Sequence, residues 1–412
     1  MKAKKIVIIG AGTGGLVAAN RLRKLLSSEH KIIVIDQTSI HSFAPSFLWV
    51  MVGTRTLNQI TRPITNLLRP NIEYIQASVQ NIDLSKGVVE AEGAVITFDH
   101  LIIASGAEPA FDSIPGYDDS VETFFTAEGS KRLFDSLRNF GGGKIALAWL
   151  TPYKCPGAPH EGAMLIADFL RRKRKIKNLE IHLFTPESQP LPVAGPKLGA
   201  MVKDVLESRG IIYHPKHKLT SVDSSSKMLK FESNPDFHYD MLVLIPPHRS
   251  ARFVQDSGLA NAAGWISVDR NTLATQHENI YAIGDVTAVS MPGRWKPDVP
   301  LMLPKAGVFA HSQALTVTER IASEINGKRT DAQFCGDGFC MLEAGEDLAG
   351  FAYGNFFAEP SPDVRLKKIG RNWHLGKVLF EKWWLAPYGL RRRLLESAIT
   401  TGGKFLGVPV RL

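Results

Sequence analysis

Three features predict an α/β chain built on two Rossmann-like dinucleotide-binding units in tandem, followed by an amphipathic C-terminal region. A strand, a glycine-rich turn and a helix open the chain. Two later strands end in the small-residue turns Ala104-Ser105-Gly106 and Gly284-Asp285, and a second strand–turn–helix follows residue 143. At 412 residues, 44% hydrophobic and 22% charged, the composition is globular and too long for one small core. It excludes disordered, collagen-like and disulfide-scaffold classes, since only three cysteines are present.

Lys5 to Ile9 is a short β-branched run suited to a buried parallel strand. Met1-Lys-Ala-Lys-Lys5 ahead of it imitates the start of a secretion signal. Gly10, Gly12, Gly14 and Gly15 interrupt the apolar stretch, however, and no small-x-small cleavage site follows, so a retained folded segment is expected. Gly10 permits the tight turn, Gly12 a close backbone approach to a pyrophosphate, and Gly15 the packing of helix Leu16–Leu26 on the strand. The strand from Lys31 to Ile35 ends in Asp36, placed to accept from adenosine ribose hydroxyls.

The second unit repeats the strand (144–150) and the helix (162–172), but a nicotinamide site needs a second glycine-rich turn between them. The connection is Thr151-Pro-Tyr-Lys-Cys-Pro-Gly-Ala-Pro-His-Glu161. Its three prolines remove backbone donors, and Gly157 alone does not give pyrophosphate approach. This disfavours NADH as reductant. Cys155 in this turn, beside Lys154 and near a helix start, reads as a thiolate, with a buried structural cysteine as the plainer alternative. Glu161 is a proton acceptor or simply a favourable first-turn carboxylate.

With the opening turn, His100–Pro109 and Asn279–Asp285 resemble the two-dinucleotide-domain flavoproteins related to the disulfide reductases. Phe43-Ala-Pro-Ser-Phe-Leu-Trp-Val50, Cys155-Pro-Gly-Ala-Pro-His-Glu161, Pro304-Lys-Ala-Gly307 and Gly338-Phe-Cys340-Met narrow the likeness. Over nearly its whole length the chain resembles the sulfide:quinone oxidoreductases and the flavoprotein subunits of flavocytochrome c sulfide dehydrogenase. The resemblance implies non-covalent FAD held by Gly10, Gly12, Gly15, Asp36, Ala104, Ser105, Gly106, Gly284, Asp285 and Lys305, with Asp285 on the ribityl chain. It implies catalysis by Cys155, Cys340, Glu161 and Lys305: sulfide attacks a Cys155–Cys340 disulfide, Cys155 carries the persulfide, and Cys340 is the thiolate facing the flavin. Lys305 belongs at the flavin edge and quinone carbonyl; a solvated helix-start lysine is the alternative. Trp373–Lys382 resembles the family's quinone-side helix, which puts Phe380 and Trp383 on the quinone side.

The chain departs from the family at Phe125, where many members have a third cysteine. Its own third thiol is Cys335, so a local Cys335–Cys340 bridge is a rival pairing. Three scattered cysteines lack the spacing of a metal site.

From Val364 to Leu412 there are 11 Lys and Arg against 2 Glu, so this tail carries the whole net charge of +9. A neutral body argues against a nucleic-acid partner. Leu375, Leu379 and Trp383 share one helical face, Lys377 and Glu381 form an i,i+4 pair on another, and Leu390, Leu394, Leu395, Ala398 and Ile399 make a second stripe beyond Pro387. Residues 373–412 therefore read as a helix pair lying in a membrane surface, with packing on a partner subunit as the alternative. The expected domains are an FAD domain (1–111 and 265–329), a degenerate second unit (112–264) and a C-terminal region (330–412). The expected protein is a peripheral membrane enzyme on the cytoplasmic side, without a signal peptide or transmembrane helix, acting on sulfide and quinone; a homo-oligomer is left open. The competing functions are a type II NADH:quinone dehydrogenase, a sulfide dehydrogenase with a cytochrome acceptor, and a non-catalytic flavoprotein.

Overall fold

The computed structural model describes residues 3–408; the ends of the N-terminal basic stretch (1–2) and of the tail (409–412) lie outside the described residues. The chain opens with β1 (Lys5–Ile9), α1 (Thr13–Leu25), β2 (Lys31–Asp36), β3 (Glu73–Gln76) and β4 (His100–Ile103). Next come α2 (Ala127–Asn139), β5 (Gly143–Trp149), α3 (Ala158–Asp168), β6 (Leu179–Phe184), α4 (Pro196–Ser208), β7 (Ile211–His214) and β8 (Met241–Ile245). The chain then returns with β9 (Ile280–Ala282) and α5 (Gly307–Ile325). It ends with β10 (Asp337–Glu343), β11 (Ala349–Asn355), β12 (Asp363–Gly370), α6 (Arg371–Trp384) and α7 (Leu390–Phe405).

Two parallel sheets result. The first has the order β9-β4-β1-β2-β3, and the second β7-β6-β5-β8. A parallel sheet is covered on both faces, so its strands are continuous apolar runs. Ile6, Val7, Ile8 and Leu101, Ile102, Ile103 accordingly have no solvent exposure. The strand after residue 278 pairs with β4 even though more than 170 residues separate them in sequence, which brings Gly284-Asp285 beside Ala104-Ser105-Gly106. Helix α3 begins at Ala158, four residues before the predicted Gly162, because Pro159 is accepted in the first turn, where its missing N–H goes unused.

Strands β10, β11 and β12 form an antiparallel sheet, and α6 packs against it. Helices α6 and α7 form as expected, but not with the expected faces. Leu375 and Leu379 are 57% and 37% exposed, whereas Lys377 and Glu381 are buried. The predicted i,i+4 pair between them does not form. Each member instead bonds to a distant partner: Lys377 to Glu161, and Glu381 to Ser46 and Arg55. Trp383, predicted on the face of Leu375 and Leu379, is buried in the core. Leu390 and Leu394 are exposed, while Leu395 and Ile399 pack against the core. No helix among the described residues is long and apolar enough to cross a membrane.

The glycine turn separates two kinds of requirement. A Cβ on Gly15 would stand 1.8 Å from the carbonyl oxygen of Gly10, whereas one on Gly12 would meet nothing within 4 Å. Gly15→Ala should therefore lose about 1–3 kcal/mol of stability. Gly12→Ala should stay within about 0.5 kcal/mol of wild type. Thermal melting of the two flavin-free proteins checks both.

Candidate active site

The predicted cofactor residues converge at the carboxyl ends of β1, β4 and β9, the place where open α/β sheets bind ligands. Gly10 has φ +99° and sits so close to β4 that a Cβ would meet the Ala104 carbonyl at 2.4 Å. Asp36 accepts the Ala11 N–H at 2.6 Å and the Thr38 N–H at 2.9 Å, so part of its capacity holds the turn itself. Gly106 lies across the crevice, and a Cβ there, as on Gly12, would enter open space. Gly284 donates to Gln313 Oε1 at 2.7 Å.

Two buried oxygens in this crevice, Asp285 Oδ1 and Ser105 Oγ, have no protein partner. Buried polar groups are normally satisfied, so these point to hydroxyls or amides supplied by a ligand. Together with the open space at Gly12, they fit a flavin-adenine dinucleotide. Burial pushes the Asp285 carboxyl up, while Lys154 and Lys305 pull it down. Lys305 lies in the loop two residues before α5. Its ammonium donates to the carbonyls of Asp285 (2.6 Å) and Thr287 (3.1 Å) and stands 3.4 Å from the Trp265 ring centroid. It is therefore not a solvated lysine. Burial brings it down to about 8, opposed by Asp285.

The cysteine pocket adjoins this crevice through the backbone, since the Cys155 N–H donates to the Lys305 carbonyl at 2.7 Å. Cys155 has φ +56°, the strained left-handed conformation that reverses the chain into α3. Cys340 projects from the middle of β10, opposite Ala352. Its Sγ comes within 3.6 Å of where a Cβ on Gly157 would stand. The tight contact at Gly157 is with the Leu342 side chain, which a Cβ would meet at 2.7 Å. All three cysteines are free thiols. Cys335 is exposed ahead of β10, whereas Cys155 and Cys340 are half-buried and pack against the same core cluster.

Beside the thiols lies a buried ion pair. Glu161 Oε2 accepts from Lys377 Nζ at 2.5 Å and from the Glu343 N–H at 2.9 Å, while Lys377 also donates to the Met341 carbonyl at 3.1 Å. His374 Nδ1 bonds the Glu343 carboxylate at 2.9 Å. Burial pushes Glu161 up, and Lys377 pulls it back; Glu161 and Glu343 together hold Lys377 above the ordinary lysine range. Burial, reinforced by Glu161 and opposed by Lys377, raises Cys155 to about 12, and Cys340 rises well above its usual value for the same reasons. These directions run against the reading of Cys155 as a resting thiolate. Lys154 turns away to the Ala107 carbonyl, and the helix start brings a carboxylate to the sulfur.

Lys377 is the site residue that sequence reasoning missed. The signal was its spacing: Lys377, Glu381 and Trp384 fall at i, i+4 and i+7, one stripe on a helix whose other stripe is apolar. Phe380 lies between the two halves, its ring 6.1 Å from Phe43 and 6.2 Å from Phe339, next to Cys340. Trp383 is 5.3 Å from Phe380 and carries the Arg392 guanidinium 4.7 Å from its ring centroid. At the end of β5 and β6, where a second dinucleotide would lie, Tyr153 is tilted against Trp149, ring centroids 6.0 Å apart, and donates to Glu187 at 3.2 Å. Burial raises Glu187 to about 7.

The chain matches the pyridine nucleotide-disulphide oxidoreductase family over residues 4–314. It is 26% identical to the sulfide-quinone reductase of Aquifex aeolicus over 93% of this chain and 90% of that protein. The sulfide:quinone oxidoreductase structure from that organism superposes with a TM-score of 0.86 at 24% identity, covering 99% of this chain and 96% of that one. A type II NADH:quinone oxidoreductase of Staphylococcus haemolyticus is 23% identical over 85% of this chain and 90% of that protein. The resemblance drawn from the sequence motifs is thereby borne out. The chain belongs to the pyridine nucleotide-disulphide oxidoreductase family and is an oxidoreductase.

Proposed function

We propose that this enzyme oxidises sulfide at the Cys155/Cys340 pair and passes two electrons through non-covalently held FAD to a membrane quinone. The observation that carries the reading is the pair of half-buried thiols flanked by the Lys377–Glu161 ion pair and tied to the Lys305 loop. In the oxidised pair, hydrosulfide attacks Cys155 Sγ. A sulfur–sulfur bond forms there, the Cys155–Cys340 bond breaks, and its electron pair leaves on Cys340 as thiolate. Glu161 takes the proton of the incoming sulfur. The Lys377 ammonium, with a third N–H beyond the two bonded to Glu161 and Met341, stabilises the charge on sulfur. The chemistry FAD supplies when bound is acceptance of that electron pair. Gly10, Gly12 and Gly15 would hold its pyrophosphate, Asp285 and Ser105 its hydroxyls, and Lys305 would place a cation beside the electron acceptor.

Quinone enters from the lipid side past Phe380 and Trp383. The exposed Leu375, Leu379, Leu390 and Leu394, with the exposed Arg391 and Arg393, suit a peripheral surface lying among lipid headgroups on the cytoplasmic side. NADH as donor is disfavoured, because Trp149, Tyr153 and Glu187 fill the second crevice and no glycine-rich turn borders it.

Anaerobic sulfide should bleach the visible flavin band of the purified protein, and NADH should not; the converse result would replace this reading by the NADH dehydrogenase. Cys340→Ser should slow bleaching by roughly 100-fold or more while retaining flavin. Lys377→Met strands a buried carboxylate and should cost about 3–5 kcal/mol. Adding Glu161→Gln should recover much of that stability yet leave sulfide reduction roughly 100-fold slow in stopped flow. Lys305 binds its proton less tightly folded (about 8) than unfolded (10.5). Between those values the unfolded chain holds more protons, so stability rises with pH across that window. The thermal midpoint of the flavin-free wild type should therefore gain on that of Lys305→Met between pH 7 and pH 10.

A further inference from the structure

Helix α6 ends in a hydrogen-bond chain that runs into the glycine turn. The Trp384 indole N–H donates to His41 Nε2 at 2.8 Å, and His41 Nδ1 lies 3.1 Å from the Ala11 carbonyl oxygen. Both side chains are buried, at 4% and 7% exposure. An indole N–H only donates, so Nε2 must accept and the imidazole proton is on Nδ1, where it donates to Ala11. His41 is held in one neutral tautomer; burial, which lowers its proton affinity, favours the same state.

Ala11 is the middle residue of Gly10-Ala11-Gly12, and both of its peptide groups are fixed by side chains. Its N–H is held by Asp36 at 2.6 Å and its carbonyl by His41. In a trans peptide the carbonyl of one residue and the N–H of the next point in opposite directions. Holding the Ala11 carbonyl therefore turns the Gly12 N–H away from His41, at the residue where a Cβ meets only open space. We infer that His41 and Trp384 are positioning residues for FAD: they fix the orientation of the Gly12 N–H that the pyrophosphate accepts from. Asp36 holds the peptide before Ala11 and the Leu16 N–H holds the Gly12 carbonyl at 3.0 Å, so His41 is the side chain that fixes the peptide between them. The inference rests on the proposed FAD occupancy of this turn, but not on sulfide being the donor.

The test is the rate of FAD release from the holoenzyme, followed as free-flavin fluorescence after dilution, for His41→Phe, His41→Asn and Trp384→Phe. Asn restores a donor at the position of Nδ1; Phe keeps the bulk without it. His41→Phe should release FAD about 10-fold faster, Trp384→Phe about 3-fold faster, and His41→Asn within about 2-fold of wild type. A role in packing alone would make both His41 variants behave alike, so equal release by His41→Phe and His41→Asn overturns the inference, as does wild-type release by His41→Phe. If His41→Phe does not fold, Trp384→Phe decides: release at the wild-type rate overturns the inference, and faster release with rescue in His41→Asn supports it. A wild-type protein that neither carries nor takes up FAD overturns the cofactor assignment itself, a separate result.

Discussion

The interaction on which the rest of this molecule depends is the buried ion pair between Lys377 and Glu161. Removing either charge from water costs several kcal/mol, and the cost is offset only by short, well-directed bonds in a water-poor place. Here the carboxylate has two donors, and the ammonium also has the Met341 carbonyl. The pair ties together three segments that also pack on one another: the first turn of α3 beside the cysteine turn, the strand that carries Cys340, and the C-terminal helix α6. Nearby, Glu343 and His374 add a second carboxylate and a second titratable base, so the cluster is close to neutral when His374 is protonated.

Helix α6 is amphipathic in the opposite sense from a core helix. Its polar stripe is buried and each member serves a different segment: Lys377 the cysteine turn, Glu381 the Phe43–Val50 segment through Ser46 and the following loop through Arg55, and Trp384 the glycine turn through His41. Its apolar stripe is left outside at Leu375 and Leu379. A helix with this pattern gains little from hydrophobic burial of its outer face in water, and its docking is specified instead by directed polar contacts.

The first dinucleotide unit was legible residue by residue, because glycine roles, strand hydrophobicity and the acid at the end of β2 are local signals. Motif resemblance drew attention to Cys155 and Cys340, which lie beside the same ion pair, and the loss of the second glycine turn was also legible. Lys377 was not, because an i,i+4 Lys–Glu spacing is what a solvated helix face shows, and only the tertiary partners Glu161 and Ser46 reveal that this face points inward. The carboxylate beside the thiols was not legible for a related reason. Lys154 is adjacent in sequence but not in space, whereas Glu161, six residues on, lies against the sulfur once α3 forms.

The raised proton affinity of the two thiols bears on how this pocket stores charge. With burial pushing both thiols up, a reduced pair would keep both protons through the physiological range and gain two protons with every two electrons. Its midpoint potential then slides down by about 59 mV for each pH unit across the physiological range, twice the 30 mV of a pair that takes up one proton. For the redox pair proposed above, the raised thiols would extend this two-proton dependence into alkaline conditions, where an ordinary dithiol loses it.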